Sequence, residues 1–344
     1  HEDGEKAIEV EARRRNLPVT PWRMKPGLNL GESTKIAHWA KLKGYQILHS
    51  HGYKFNILMG LQKLFGLKIP LITTLHGYVN APRYSKLWFY ERVDGIFLRL
   101  MDRVCLVASH MRDLSVVRRL SGKQISVIEN GLPEREPEDQ VTDLDPELKQ
   151  FLEANDFNLL AVGRLSPEKN FSALLRVLAS EPLNKMSLGL CIVGEGGKRI
   201  ELERLRLNLG LERKVRLLGY RSDVPGLMKQ FDLLVISSLT EGLPITLLEA
   251  LREGLAVLST AVGGIPQALS HGKAGILVES TSDLKIFEGL KKAVKNRESL
   301  VAKRKIGKQV FDSRFTSSSM ALKYRNLYSI LLASKKVLKL GDTS

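Results

Sequence analysis

Only two cysteines occur in the 344 residues, Cys105 and Cys191, and both sit inside apolar runs, 104–107 and 188–193. That excludes a disulfide framework and a Cys/His metal signature, and a thiol in such a run reads as a small, reduced core residue. Long apolar runs are missing as well. No uncharged stretch approaches the roughly 18 to 20 residues needed to span a bilayer, and the opening His1-Glu-Asp-Gly-Glu-Lys6 has no apolar signal-peptide core. A cytoplasmic location is expected, with the inner face of the cell membrane as a further possibility. Aromatic residues total only 6%, with no aromatic platform for single strands, so nucleic acid is not expected as a partner despite a formal charge of +16. Residues 1–140 carry 22 Lys/Arg against 15 Asp/Glu, and residues 141–344 carry 31 against 22, so the excess is spread over the chain. The densest basic stretch, 291–308, reads as a solvated helix face or, alternatively, as a patch for anionic lipid or an acidic substrate.

What is present is ordinary globular composition, 43% hydrophobic and 26% charged, in a chain long enough for two cores. Short apolar runs alternate with longer amphipathic segments, the pattern of strand-helix units around parallel sheets. Strands are expected at 18–23, 46–50, 71–75, 103–108 and 125–128. After a stretch of prolines and acids (Pro133, Glu134, Glu136, Pro137, Glu138, Asp139, Asp143, Asp145, Pro146) they resume at 159–162, 188–193, 216–218, 233–236, 256–259 and 275–278. Two helices, 283–295 and 317–334, are expected to end the chain. The spacing predicts an N-terminal domain over 1–140, a linker over 141–156, a second domain over 157–315, and a terminal helix over 316–344.

Candidate chemistry gathers at strand ends. In Ala161-Val-Gly-Arg-Leu-Ser-Pro-Glu-Lys-Asn170 an apolar strand runs into a turn at Gly163, and a helix is expected to start at Pro167-Glu168. A helix N-terminus attracts anions, and Arg164 and Lys169 would add a bidentate and a movable cation suited to a pyrophosphate. In Ser237-Ser-Leu-Thr-Glu-Gly-Leu-Pro-Ile-Thr-Leu-Leu-Glu-Ala250, Pro244 is expected in a helix's first turn. The N–H groups of Gly242 and Leu243 can point into a cleft, and the carboxylates of Glu241 and Glu249 suit sugar hydroxyls and a ribose diol. Turns at Gly194 and at Tyr220-Arg221 offer further backbone or stacking contacts, although 192–199 departs from the dinucleotide-binding glycine pattern at Arg199. In the first half His76 projects from the end of 71–75, while His49 and His51 flank another strand end and read first as structural residues. Each of these motifs taken alone also fits a plain turn, cap or core residue.

Taken together, Gly163-Arg-Leu-Ser-Pro-Glu-Lys169, Val193-Gly-Glu-Gly196, Leu218-Gly-Tyr-Arg-Ser-Asp-Val224, Glu241-Gly-Leu-Pro244 with Glu249, and Val262-Gly-Gly-Ile-Pro266 resemble the retaining nucleotide-sugar glycosyltransferases of family 4. The match covers nearly all of 155–335; the first half matches more loosely, through His49-Ser-His51-Gly, Leu75-His76-Gly and Glu129-Asn130-Gly131. The resemblance implies a GT-B fold: α/β, two facing Rossmann-like doubly wound parallel-sheet domains. The family's first strand and Gly-rich loop are not found, so the N-terminal domain is expected to lack its first strands. It also implies a hexosyltransferase-type enzyme without cofactor or metal, using a nucleotide-diphosphate sugar and a glycan or lipid-linked acceptor, with peripheral contact to an anionic membrane. His76, Arg164, Lys169 and Glu241 would be catalytic. Gly163, Gly194, Tyr220, Arg221, Gly242, Leu243, Pro244 and Glu249 would bind the donor. Two other outcomes stay open: a nucleotide-sugar epimerase of the same fold, and a catalytically weak nucleotide-sugar-binding module.

Overall fold

A computed structural model describes residues 7–24, 27, 29–76, 84, 86–134 and 144–341. The first lobe contains α1 (Ala7–Arg14), α2 (Leu30–Leu42), β1 (Leu48–Ser50), α3 (Tyr53–Leu64), β2 (Leu71–Leu75), α4 (Lys86–Phe97), β3 (Arg103–Leu106) and β4 (Ile125–Val127). Its strands form a parallel sheet in the order β1-β2-β3-β4, with Ile72 opposite Arg103 and Cys105 opposite Ser126. Every residue of β2 is buried, as expected of a parallel strand covered on both faces.

The second lobe follows with α5 (Pro146–Glu153), β5 (Phe157–Val162), α6 (Phe171–Ala179), β6 (Leu188–Val193), α7 (Arg199–Asn208), β7 (Val215–Gly219), α8 (Val224–Met228) and β8 (Leu233–Ile236). It continues through α9 (Ile245–Glu253), β9 (Ala256–Thr260), α10 (Ile265–Ala268), β10 (Ile276–Val278), α11 (Asp283–Lys295), α12 (Arg297–Arg314) and α13 (Ser317–Gly341). The six strands are parallel in the order β10-β9-β8-β5-β6-β7. The two-residue period of a strand divides them between cores: Phe157, Leu159 and Ala161 join the cluster with α6 and α11, whereas Leu160 joins the one with α9 and α12. The latter cluster runs on without a break into Val107, Ala108 and Met111 of the first lobe. Helix α13 returns to that lobe, where Leu327 and Leu331 pack with Ile72, Cys105 and Ile128.

Three expectations about local structure are corrected. Residues 18–23 are not a strand. Pro18 and Pro21 each lack a ladder donor, and the apolar alternation serves docking onto helices: Trp22 packs edge-on against Trp39 at 6.0 Å and its Nε1 donates to Glu32 at 3.0 Å. The chain ends in three helices after β10 rather than two, because the basic stretch is split at Asn296, whose side chain accepts from the Ser299 N–H at 3.0 Å and caps α12. Half of the segment expected to be linker is α5, capped by Asp145; its Leu148, Phe151 and Leu152 are buried.

Candidate active site

Strand β5 lies between β6 and β8, the point at which the strand order reverses. Loops leaving such a switch point diverge, and the crevice beyond the strands' C-terminal ends is where open α/β sheets bind ligands. The two loops here are 163–170 and 237–244, the segments singled out from the sequence. After Val162 the chain turns at Gly163 and makes one 3₁₀ turn, Pro167–Lys169. Helix α6 then starts at Phe171, behind Asn170 in a left-handed conformation (φ 52°). The helix therefore does not begin at Pro167-Glu168 as expected; the 3₁₀ turn comes first and sets Lys169 at its end. Likewise Pro244 precedes α9 as its N-cap, with an extended ψ of 132°, rather than lying in the first turn.

The loops are tied together. The Ser237 hydroxyl donates to the Lys169 carbonyl at 2.8 Å and the Leu239 N–H to the Glu168 carbonyl at 2.8 Å. The Lys169 stem crosses Gly163, where an added Cβ would stand 3.1 Å from its Cε. Its Nζ meets Glu241 Oε1 at 2.6 Å, and the Ser238 hydroxyl donates to the same oxygen at 2.6 Å. Glu241 is propped from behind: the Gly264 N–H donates to the Gly242 carbonyl at 2.7 Å. A Cβ on Gly263 (φ +59°) would fall 1.9 Å from the Glu241 carbonyl oxygen. Across the crevice, a Cβ on Gly242 would lie 2.9 Å from the carbonyl oxygen of His76, so only glycine lets the lobes approach this closely. Asn130 of the first lobe reaches the Leu243 carbonyl at 3.5 Å.

The loops after β5, β6 and β7 stack in turn. The Gly163 N–H donates to the Val193 carbonyl at 2.9 Å and the Gly194 N–H to the Gly219 carbonyl at 2.8 Å. Tyr220, next along, is 79% exposed. Arg221 makes a two-point pair with Asp223 (2.7 and 2.9 Å), which raises its pKa and commits its guanidinium to its own loop. Arg164 is exposed beside Gly163, and Glu249 is half-buried within α9. The structure thus joins Lys169, Glu241, Gly163, Gly242 and the His76 backbone directly, and sets Gly194, Tyr220 and Arg221 on adjoining loops. Sequence reasoning gave no role to Ser238; a hydroxyl three residues before Glu241 was the available signal.

On the first lobe the ends of β1 and β2 gather three imidazoles. His51 Nδ1 and His76 Nε2 are 3.0 Å apart, and the His49 and His51 rings stack with centroids 4.4 Å apart. His49 is held by Tyr328 of α13 (Nδ1 to OH, 2.7 Å) and by Thr74 (Nε2 to Oγ1, 2.8 Å), and Thr74 also meets the Tyr324 hydroxyl at 2.8 Å. Burial, followed by the charges of His51 and His76, pushes the His49 pKa from 6.5 down to about 4; burial also lowers those of His51 and His76. A histidine whose folded pKa is depressed favours the neutral form, so its stabilising contribution is full above 6.5 and is lost as pH falls from 6.5 toward 4. Urea titrations across that window are expected to show stability declining with acid, with a shallower slope for His49→Gln. Equal slopes for the two proteins would remove His49 from the pH dependence. Among the described residues no group of three or more His, Cys, Asp or Glu side chains is arranged to hold a metal ion.

The model for glycosyl transferases group 1 matches residues 146–310, and that for glycosyltransferase family 4 matches residues 1–135. A UDP-Gal:α-D-GlcNAc-diphosphoundecaprenol α-1,3-galactosyltransferase of Escherichia coli is 29% identical over 251 residues, 70% of this chain and 64% of the relative. N-acetyl-α-D-glucosaminyl L-malate synthase of Bacillus anthracis is 24% identical over 322 residues, 90% of this chain and 81% of that protein. The chain spans about two thirds of the first relative's length and 55% of the yeast GPI3 subunit of phosphatidylinositol N-acetylglucosaminyltransferase, which it matches at 26% identity. Among solved structures, HepE of Anabaena in complex with UDP superimposes with a TM-score of 0.79 at 21% identity, covering 95% of this chain and 90% of that one. The fold is therefore GT-B, with two parallel-sheet lobes facing a shared crevice, and the chain belongs to glycosyltransferase family 4.

Proposed function

We propose that the protein transfers a sugar, with retention of anomeric configuration, from a nucleotide-diphosphate sugar to a glycan or lipid-linked acceptor. One observation carries the reading: the Lys169–Glu241 pair at the sheet's switch point, closed over by Gly242 against His76 of the opposite lobe. In this reading Arg164 and Lys169 take the two phosphates. Lys169 arrives already oriented by Glu241, so little is spent on ordering it when charge develops on the departing phosphate. Glu241 and the amides of Gly242 and Leu243 then take sugar hydroxyls, Glu249 takes the ribose, and Gly163, Gly194, Tyr220, Arg221 and Pro244 line the nucleotide. His76 approaches the sugar from the acceptor side. The anomeric carbon's bond to the diphosphate breaks and one to the acceptor oxygen forms, while the acceptor's proton passes to the departing phosphate. Two cations at the leaving group make the reaction metal-independent in this proposal, and full activity in excess EDTA is the matching expectation.

The relatives narrow the first donors to try, since the E. coli relative is named for UDP-Gal and the Anabaena protein was solved with UDP. A thermal-shift panel of UDP, GDP, ADP and their sugars is expected to single out uridine nucleotides, because a ligand that binds only the native state raises apparent stability. Glu249→Ala is expected to weaken UDP binding by about tenfold, the loss of roughly one charged hydrogen bond. Calorimetry showing no nucleotide bound would end the donor assignment, and unchanged affinity in the variant would end that of Glu249. The chemistry of the acceptor named for the E. coli relative, a lipid-linked diphosphate, fits a protein acting at the inner membrane face. Among the described residues no helix is long and apolar enough to cross a membrane.

A further inference from the structure

Strands β1 and β2 are parallel neighbours, and His51 and His76 are each the first residue past their strand, so both leave the sheet at the same end. His51 and His76 meet in a different way from His49 and His51. The His51 and His76 centroids are 5.3 Å apart, their planes are inclined by 28°, and Nδ1 of the first is 3.0 Å from Nε2 of the second. That centroid separation is the nitrogen contact plus the radii of two five-membered rings. The rings therefore touch edge to edge, the alignment that an N–H···N bond needs. His49 and His51, at 4.4 Å, lie face against face.

An edge contact between two imidazoles requires one hydrogen between the facing nitrogens. With both rings neutral, that hydrogen belongs to one or the other. One added proton goes to an outer nitrogen and leaves the contact intact. A second would set two N–H groups against each other, so the pair takes up protons as a unit. Burial holds both rings below the usual 6.5, and the charge of His76 lowers His51 further, so both are neutral at pH 7.5.

The surroundings support the pairing. His49, Tyr53 and Lys54 line the same cavity as His51, Tyr324 and Tyr328 stand behind on α13, and the loop of Glu241 faces His76 through Gly242. His49 has both nitrogens taken by hydroxyls, those of Tyr328 and Thr74, which satisfy a neutral ring in either tautomer. His51 is exposed and fills no core. Among the described residues, Nδ1 of His76 has no hydrogen-bond partner, so it is the nitrogen left for a ligand.

We propose that His51 is a positioning residue for His76: one hydrogen shared between His51 Nδ1 and His76 Nε2 fixes the His76 ring and presents its Nδ1 to the transferred sugar. The His76 backbone is already set by the interlobe contact, where its carbonyl oxygen would lie 2.9 Å from a Cβ on Gly242, so the ring is what remains to be oriented. The inference rests on the role given to His76 in the proposed transfer, but the pairing itself is measured without donor or acceptor, so either can fail alone.

In protein labelled with ¹⁵N-histidine and titrated with acid from neutral pH, the ring nitrogens of His51 and His76 should shift together in a first step, with a separate second step at lower pH. His51→Phe should leave His76 titrating in a single step. The same variant keeps a ring against His49 but has no nitrogen, and should lower kcat about tenfold to a hundredfold while the KM for the nucleotide sugar stays within about twofold. His51→Asn, whose amide stands near the place of Nδ1, should recover most of the turnover. Independent single-site titrations in the parent, parent-like kcat in His51→Phe, or an Asn variant no better than Phe would overturn the proposal. A melting temperature lowered in step with turnover would also overturn it, by assigning His51 to packing. An inactive parent would end the transferase reading and leave the titration to decide the pairing.

Discussion

Lys169→Ala is expected to lower turnover of the preferred nucleotide sugar about 100- to 1,000-fold, the range for losing one preorganised charge donor, or roughly 2.7 to 4 kcal/mol of transition-state stabilisation. Two losses combine in this variant. The departing phosphate loses its cation, and among the described residues Glu241 keeps only the Ser238 hydroxyl as a donor, so an uncompensated carboxylate stands where negative charge must develop. Arg164→Ala removes a cation without exposing an acid and should fall at the lower end of the same range. Release of nucleoside diphosphate, followed at saturating donor, measures both. Lys169→Arg restores charge but not the reach across Gly163, and should recover only part of the loss. Full turnover in Lys169→Ala would dissolve the phosphate-clamp assignment while leaving the fold untouched.

Gly263→Ala should be among the most damaging single-methyl additions in the protein. The new carbon would stand 1.9 Å from the Glu241 carbonyl oxygen, and Gly263 already has φ +59°. The new carbon is fixed to its own Cα and the oxygen it meets belongs to the backbone, so relief requires moving a whole loop rather than turning a side chain. A destabilisation of at least about 3 kcal/mol is expected, in the range of overpacking and strain combined, together with loss of turnover as Glu241 shifts. Gly254→Ala is the control, since Gly254 has φ +68° but nothing within 4 Å of an added Cβ. It should cost about 1 to 2 kcal/mol, the left-handed conformation alone. Thermal melts of the two variants separate overlap from conformation, and equal shifts would show that the 263–264 turn does not brace the Glu241 loop.

Much of the architecture was readable because parallel strands buried on both faces are nearly continuous apolar runs. Segments such as 71–75, 188–193 and 233–236 stand out against their charged neighbours and coincide with β2, β6 and β8. Residues 18–23 misled because a segment docked through alternate side chains has the same period as a strand, and only its two prolines spoke against ladder pairing. Helix α12 was hidden for the opposite reason. Of its 18 residues only Leu300, Gly307 and Phe311 are buried, too few to stand out as an apolar face.

At the crevice, loop chemistry told which residues to watch but not how they meet. That Lys169 pairs with Glu241 depends on β5 and β8 being neighbours, a fact of strand order that local spacing does not contain. Composition counts cations without saying which are already engaged, as Lys303 and Arg304 of α12 are with the carbonyls of Gly272 and Asp232.

The course of the chain between the lobes has a mechanical consequence. The polypeptide passes from one lobe to the other after residue 132 and returns at residues 315–317, and the two passages lie side by side. The Leu132 N–H donates to the Phe315 carbonyl at 2.8 Å and the Ser317 N–H to the Leu132 carbonyl at 2.7 Å. Two adjacent, cross-linked threads resist shear and twist far better than one, but they still allow folding about the line on which they run. The lobes should therefore swing like a book on its spine, and each closure should return Gly242 to the same spot over His76 without a search for alignment.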